Sequence, residues 1–234
     1  MAIAAERVRS VSFDLDGTLI DSLPDLAGAV NETLAELGAP PLPPQQILTY
    51  VGDGADKLVL RAVAESFRSE PDDPARDTQA LAIFSDRYDQ RLFHDSRVYP
   101  GVPVALRALL DAGMTVSCIT NKDARFALPL LEVAGLSKLL AFTLCPQTTA
   151  DRKPNPKMLS AACRKLEVEP DEFLYVGDTY GDIVAAHAAG AQAIAVSYGY
   201  NHKGPMSAVN PEDTVDTLME VVTRCLGLRS RAGG

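Results

Sequence analysis

The second half of this chain alternates between strand and helix patterns, and this alternation limits its possible folds more than any other feature. Short apolar runs typical of strands lie at 114–120, 141–145, 173–177 and 191–197. Helix patterns flank them, near 102–112, 124–135, 156–168 and 181–190. Strands that alternate with helices form a parallel sheet that is covered on both faces. We therefore predict an α/β fold with a Rossmann-like parallel sheet.

The first hundred residues show a different pattern, one strand followed by a helical stretch. The apolar run at 11–13 predicts the strand. After Ser22, apolar residues recur at helical spacing, at Leu23, Leu26, Ala27, Val30, Leu34 and Leu37. Two more helices are predicted, one beginning near Ala55 and one over 75–93.

These patterns predict two structural parts. Residues 1–21 and 95–234 would form the α/β core, and residues 22–94 would form an inserted all-helical cap. The linkers near Ser22 and over 94–99 would then be hinges.

Polar side chains stand where three of the predicted strands end. Asp14 and Asp16 follow the first strand, Thr120 and Asn121 follow another, and Asp178 follows a third. Residues two positions apart share one face of an extended segment. Ligands of open parallel sheets bind at the carboxyl ends of the strands. The sequence therefore predicts one site that gathers all five residues.

The acidic residues suit phosphoryl transfer to a carboxylate. Asp14 is the candidate nucleophile, because carboxylates form aspartyl-phosphates. An anion that approaches a phosphate needs a cation, and Mg²⁺ held by carboxylates supplies one. Asp178 and Asp182 can complete such a metal site. Asp16 is the candidate general acid and base.

Three further residues are candidates for contact with the phosphate. Lys153 is followed by Pro154 and Pro156, which restrict the backbone around it, and it can supply a fixed ammonium group. Thr120 offers a hydroxyl group and Asn121 an amide donor to phosphate oxygens.

The composition limits the partners of the chain. Its formal charge of −9 argues against nucleic acid, whose phosphates it would repel. No apolar stretch nears the roughly 20 residues that span a bilayer, so no membrane partner is expected. The four cysteines are widely spaced, which is typical of a reduced cytoplasm. We expect a small phosphorylated metabolite as partner and a cytoplasmic location. Whether the chain forms a homo-oligomer is left open by the sequence.

The motifs resemble those of a known superfamily. Asp-x-Asp-Gly-Thr at 14–18, Thr120-Asn121, Lys153 and Gly-Asp at 177–178 are similar to the four motifs of the haloacid dehalogenase superfamily, in the same order. The helical stretch after the first motif resembles the cap of its phosphatases. The chain is most similar to bacterial phosphoglycolate phosphatases, through Asp21-Ser22, 51–56, 120–122 and 198–201.

This resemblance implies an activity and a set of roles. It implies Mg²⁺-dependent hydrolysis of 2-phosphoglycolate to glycolate and phosphate, a step in carbohydrate metabolism. By this likeness Asp14 is nucleophile and metal ligand, and Asp16 is acid and base and binds the metal through its carbonyl. Asp178 is the third protein ligand, and Asp182 lies beside the metal. The segment 145–151 departs from the acidic, glycine-containing segment expected before Lys153.

The loop before the second predicted helix is a candidate for substrate binding. Gly52 and Gly54 flank Asp53 just ahead of Ala55. Free amides at the start of a helix bind anions. Our hypothesis is that these amides bind the carboxylate of the substrate. Turn formation alone explains the same glycines.

Three other functions remain open. The first is a phosphatase for another small metabolite, such as a sugar phosphate or a nucleoside monophosphate. The second is a phospho-aspartate signalling switch, but such switches lack the helical insert and a second acid like Asp16. The third is a dehalogenase, in which Asp16 and the metal-binding acids would have little role.

Overall fold

The computed structural model describes residues 3–68, 71–202 and 204–227. Its strands are β1 (Ser10–Phe13), β2 (Ile20–Asp21), β3 (Arg97–Val98), β4 (Thr115–Ile119), β5 (Thr143–Leu144), β6 (Phe173–Gly177), β7 (Gln192–Val196) and β8 (Asp213–Val215). Six of them form one sheet in the order β5-β4-β1-β6-β7-β8, and every pair in it is parallel. The predicted α/β class is therefore confirmed.

The helices surround this sheet or lie between β2 and β3. They are α1 (Leu23–Glu36), α2 (Pro44–Leu48), α3 (Ala55–Ser66), α4 (Pro74–Arg91), α5 (Val102–Asp111), α6 (Ala124–Val133), α7 (Lys157–Leu166), α8 (Tyr180–Ala188) and α9 (Leu218–Cys225). None of the helices in the described part of the chain is long and apolar enough to cross a membrane.

Both faces of the sheet are buried, as the central strand β6 illustrates. Its side chains alternate between two apolar clusters, with Leu174 and Val176 in one and Phe173 and Tyr175 in the other. This is the alternation of a strand with side chains on both faces. A strand covered on both faces reads as a continuous apolar run, which is why the sequence reveals it.

The four helices α1–α4, here called the cap helices, pack around an apolar cluster that includes Leu34, Ile47, Val59 and Phe84. The chain enters and leaves this group through β2 and β3, which pair antiparallel. The buried carboxylate of Asp25 accepts hydrogen bonds from the main chain of the second linker. The division into 1–21 with 95–234 and 22–94 stays a prediction.

Most predicted elements have counterparts in the structure. The four later strands and the helices between them lie within about two residues of the expected positions. Five of the named elements were not predicted, namely β2, β3, α2, β8 and α9. Except for α9, these elements have two to five residues, too few to show a repeated pattern of apolar and polar positions.

Candidate active site

The predicted site lies at the carboxyl end of the sheet, where three neighbouring strands end. Asp14, Thr120 and Asp178 directly follow β1, β4 and β6, which are adjacent in the sheet. All three residues are buried. This is the edge at which parallel sheets bind ligands.

Three carboxylates form a compact cluster at this edge. One oxygen atom from each of Asp14, Asp178 and Asp182 lies within 4.8 Å of the others. Asp178 is held in place by two hydrogen bonds, from Thr18 Oγ1 at 2.9 Å and from the Tyr200 amide at 2.7 Å. Clustered carboxylate oxygens are ligands that Mg²⁺ prefers.

Two glycines leave the space that Asp178 fills. A Cβ atom on Gly17 would lie 2.3 Å from Asp178 Oδ2, and one on Gly199 would lie 2.1 Å from Asp178 Cβ. Gly17 also has a φ of +84°, a conformation that favours glycine. The position of Asp178 therefore depends on both residues.

Burial shapes the electrostatics of this cluster. It raises the pKa of Asp14 to about 7, against the opposing charge of Lys153 and with a further rise from Asp182. Burial also raises the pKa of Asp178 well above its usual range, and the charges of Asp182 and Asp14 add to this rise. Carboxylates that are costly to ionise together are stabilised when a cation binds them.

Lys153 supplies one positive charge inside the cluster. Its Nζ atom lies 2.8 Å from Asp14 Oδ1 and 2.6 Å from Asp182 Oδ1, and it donates to the Tyr175 hydroxyl at 2.7 Å. Burial acts to lower the pKa of Lys153, but the two carboxylates outweigh it and the pKa is raised. The ammonium group therefore stays charged and fixed.

The cluster fits a divalent cation. Three ionised carboxylates and the Lys153 ammonium carry a combined charge of −2. Asp14 Oδ1 is buried and, among the described residues, its close polar contact is the ion pair with Lys153 Nζ at 2.8 Å. This atom keeps a lone pair for a ligand or for an electrophile.

Asp16 lies apart from the three clustered carboxylates. Its two oxygens accept hydrogen bonds from Lys122 Nζ at 3.0 and 3.1 Å, and Oδ1 also accepts one from the Ser22 hydroxyl. Lys122 is buried, and the charge of Asp16 raises its pKa although burial acts to lower it. The side chains of Asp14 and Asp16 thus have separate cationic partners.

Asn121 joins the cap helices to the core. Its Nδ2 donates to the carbonyls of Gly52 and Lys153 at 2.8 and 3.0 Å, and its Oδ1 accepts from the Lys153 amide at 2.8 Å. Thr120 Oγ1 accepts from the Lys122 amide at 3.1 Å. The roles of Asn121 and Thr120 toward a substrate stay predictions.

Arg152 makes a second connection between cap helices and core. It donates to the Asp53 carbonyl at 2.8 Å and to Asp56 at 2.5 Å, both at the start of α3. Its other amino group lies 3.6 Å from Asp123, just before α6. Gly54 sits against it, since an added Cβ would lie 2.4 Å from the guanidinium carbon.

A cavity lies between the core and the cap helices. Asp14 and Asp16 line it on the core side, and Leu26, Leu58 and Tyr88 line it on the side of α1, α3 and α4. Gly52 and Gly54 reach the same cavity, and their proposed binding of a carboxylate stays a prediction.

Four residues at this site escaped the sequence analysis as site residues: Lys122, Arg152, Tyr88 and Tyr200. Lys122 directly follows Asn121, and Arg152 directly precedes Lys153, so their positions beside motif residues were the available signal. The helical spacing of Tyr88 indicates only a packed face. The contacts of Tyr200 join residues more than 170 positions apart, which no local pattern encodes.

Comparison with known proteins gives a consistent result. Residues 11–196 match the family described as haloacid dehalogenase-like hydrolase. A phosphoglycolate phosphatase of Pseudomonas putida is 41% identical over 93% of this chain and 79% of its own length. One from Nitrosospira multiformis is 38% identical over 91% and 93%. The crystal structure of a predicted phosphoglycolate phosphatase from Haemophilus somnus has a TM-score of 0.89 at 32% identity, covering 93% and 97%.

Proposed function

The chain belongs to the haloacid dehalogenase-like hydrolase family, and we propose that it hydrolyses 2-phosphoglycolate to glycolate and phosphate. It is a phosphoric monoester hydrolase. The observation that carries the proposal is the buried cluster of Asp14, Asp178 and Asp182 with Lys153, open to a cavity under the cap helices. The relatives named phosphoglycolate phosphatase support the choice of substrate.

The first step transfers the phosphoryl group to Asp14. A carboxylate oxygen of Asp14 forms a bond to phosphorus while the bond from phosphorus to the ester oxygen breaks. Asp16 gives its proton to the departing oxygen and glycolate leaves. Lys153, 2.8 Å from Asp14, holds the nucleophile in place.

The second step returns the enzyme to its starting state. Asp16 takes a proton from water, whose oxygen bonds to phosphorus as the bond to Asp14 breaks. Phosphate leaves and the Asp14 carboxylate is restored. Mg²⁺ held by Asp14, Asp178 and the Asp16 carbonyl, with Asp182 beside it, would offset the negative charge of the phosphate.

A panel of phosphate esters tests the substrate. We expect phosphate release from 2-phosphoglycolate to exceed that from sugar phosphates and nucleoside monophosphates, and to stop when a chelator removes Mg²⁺. Equal rates on unrelated esters would contradict the assignment of 2-phosphoglycolate. A preference for a sugar phosphate would favour the alternative phosphatase.

An amide substitution tests the nucleophile. Asp14→Asn replaces the anionic carboxylate by a neutral amide, a poor nucleophile of almost the same size, and we expect kcat to fall at least about 1,000-fold. Asp86→Asn, at an exposed position of α4, is the matched control and keeps wild-type kcat. Wild-type turnover in Asp14→Asn would refute the covalent mechanism.

A further inference from the structure

Two polar groups at the cavity, Lys122 and Tyr88, have no part in the two chemical steps. Lys122 lies on the core side, two residues after Thr120, and Tyr88 lies on α4. Both residues line the cavity and both are buried. The Lys122 ammonium group lies 4.7 Å from the centre of the Tyr88 ring, so the two residues face each other across the boundary between core and cap helices.

The Tyr88 hydroxyl lies close to the Lys122 ammonium group, whose charge acts to lower the pKa of Tyr88. Among the described residues the hydroxyl has no hydrogen-bond partner, although the side chain is only 1% exposed. Its ring is held by stacking on Phe84 and by an edge contact with Phe126, at centroid distances of 5.5 and 5.0 Å. Burial raises the pKa of Tyr88 to about 12. The hydroxyl is therefore a protonated donor that packing does not require.

The Lys122 ammonium group stands on the leaving-group side of the site. It contacts both carboxylate oxygens of Asp16, the group that protonates the departing oxygen in the proposed function. In 2-phosphoglycolate a single methylene carbon joins that oxygen to the carboxylate. A cation beside Asp16 is therefore within reach of the substrate carboxylate, whereas Lys153 lies beside Asp14 and Asp182, on the side of the attacking oxygen.

We propose that Lys122 and Tyr88 together bind the carboxylate of the substrate and select for carboxylated phosphate esters. This inference rests on the proposed function, because it takes Asp16 as the proton donor. Lys122 contributes a charge-assisted hydrogen bond and Tyr88 contributes its free hydroxyl. The rest of the wall facing them, from Leu26, Leu58 and Phe126, is apolar and suits a methylene group.

The test compares two substrates that differ only at the carboxylate. These are 2-phosphoglycolate and 2-hydroxyethyl phosphate, in which a hydroxymethyl group replaces it. Tyr88→Phe should lower kcat/KM for 2-phosphoglycolate by about 10- to 100-fold and change it less than about 3-fold for 2-hydroxyethyl phosphate. Lys122→Met should lower the ratio of kcat/KM for 2-phosphoglycolate to kcat/KM for 2-hydroxyethyl phosphate by about 100-fold. Lys122→Arg should restore part of this ratio.

Two controls separate binding from structure. Tyr50→Phe changes a half-buried tyrosine at the end of α2 and Lys157→Met an exposed lysine at the start of α7, and both should keep the wild-type ratio. The melting temperature of Tyr88→Phe without substrate should stay the same or rise, because the lost hydroxyl has no partner. A fall of several degrees would overturn the inference.

The outcomes also distinguish this inference from the proposed function. If the wild-type enzyme prefers 2-phosphoglycolate but Tyr88→Phe and Lys122→Met reduce both substrates equally, Lys122 and Tyr88 do not bind the carboxylate and the proposed function stands. If the wild-type enzyme does not distinguish the two substrates, the proposed substrate is wrong and the inference falls with it.

Discussion

The variant Gly199→Ala offers a sharp test of how Asp178 is positioned. The added methyl group would lie 2.1 Å from Asp178 Cβ and 2.6 Å from its Cγ and Oδ2. Carbon atoms at optimal contact are about 3.5–4.0 Å apart, so a shift of an ångström or more is unavoidable. The displaced side chain would lose its hydrogen bond from the Tyr200 amide, now 2.7 Å long.

The expected effects follow from this displacement. Overpacking costs about 1–3 kcal/mol, and in a domain of this size each kcal/mol lowers the melting temperature by about 2–4 °C. We therefore expect a loss of about 2–12 °C. Moving a metal-binding carboxylate should raise the Mg²⁺ concentration for half-maximal activity about 10-fold or more, and kcat should fall about 100-fold.

The assay is phosphate release from 2-phosphoglycolate as a function of Mg²⁺ concentration, together with thermal unfolding. Gly181→Ala is the control, because it lies in α8 and its added Cβ would have its nearest neighbour at 3.7 Å. It should be as stable as wild type or more so. If Gly199→Ala keeps the wild-type Mg²⁺ dependence and kcat, the idea that Gly199 makes room for Asp178 is wrong.

Three further predictions concern pH, metal and the cap helices. In metal-free protein the pKa of Asp14, about 7 against an ordinary 3.8, means that the folded state keeps a proton that the unfolded chain releases. The free energy of unfolding should therefore fall as pH rises from about 4 to about 7, by at most about 4 kcal/mol, and less in Asp14→Asn. Mg²⁺ at about 100 times its Kd should stabilise the wild type by about 2.7 kcal/mol, whereas Asp178→Asn should show little of this gain in thermal unfolding. Arg152→Met removes contacts to Asp56 and Asp123, and it should lower the free energy of unfolding in urea by about 1–2 kcal/mol and raise KM.

Each of these predictions has a contrary outcome. Metal-free stability that rises between pH 4 and 7, by the same amount in wild type and Asp14→Asn, would contradict a raised pKa of Asp14. An equal Mg²⁺ effect in wild type and Asp178→Asn would place the ion elsewhere. Unchanged KM and unfolding in Arg152→Met would show that its contacts across the boundary carry no net free energy. Lys165→Met, near the end of α7, is the control for that variant.

The elements that the sequence revealed are those with a local physical signal. The buried strand β6 was predicted at its observed bounds, because a strand covered on both faces is apolar throughout. The helix α9 carries a similar signal, with Leu218, Val221, Val222 and Cys225 on its buried face. That pattern was present in the sequence but was not interpreted as a helix.

The site shows the same division between local and distant information. The positions after β1, β4 and β6 could be assigned to one edge of the sheet from topology alone. The separation of Asp16 from the three clustered carboxylates could not be predicted in this way. It reflects the contact of the Asp16 side chain with Lys122, which lies 106 positions further along the chain. The hydrogen bond from Thr18 to Asp178 spans 160 positions, and no local pattern encodes it either.

The contacts of Tyr200 have a consequence for protein engineering. Its amide holds Asp178, while its hydroxyl donates to Asp21 and accepts from the Leu23 amide. A chimera that exchanges only the cap helices, with junctions near Ser22 and residue 95, would keep Tyr200 but replace some of the residues that it contacts. The transplantable module is therefore discontinuous, and a graft that includes the turn over 198–200 should retain a working metal site where a simple exchange would not.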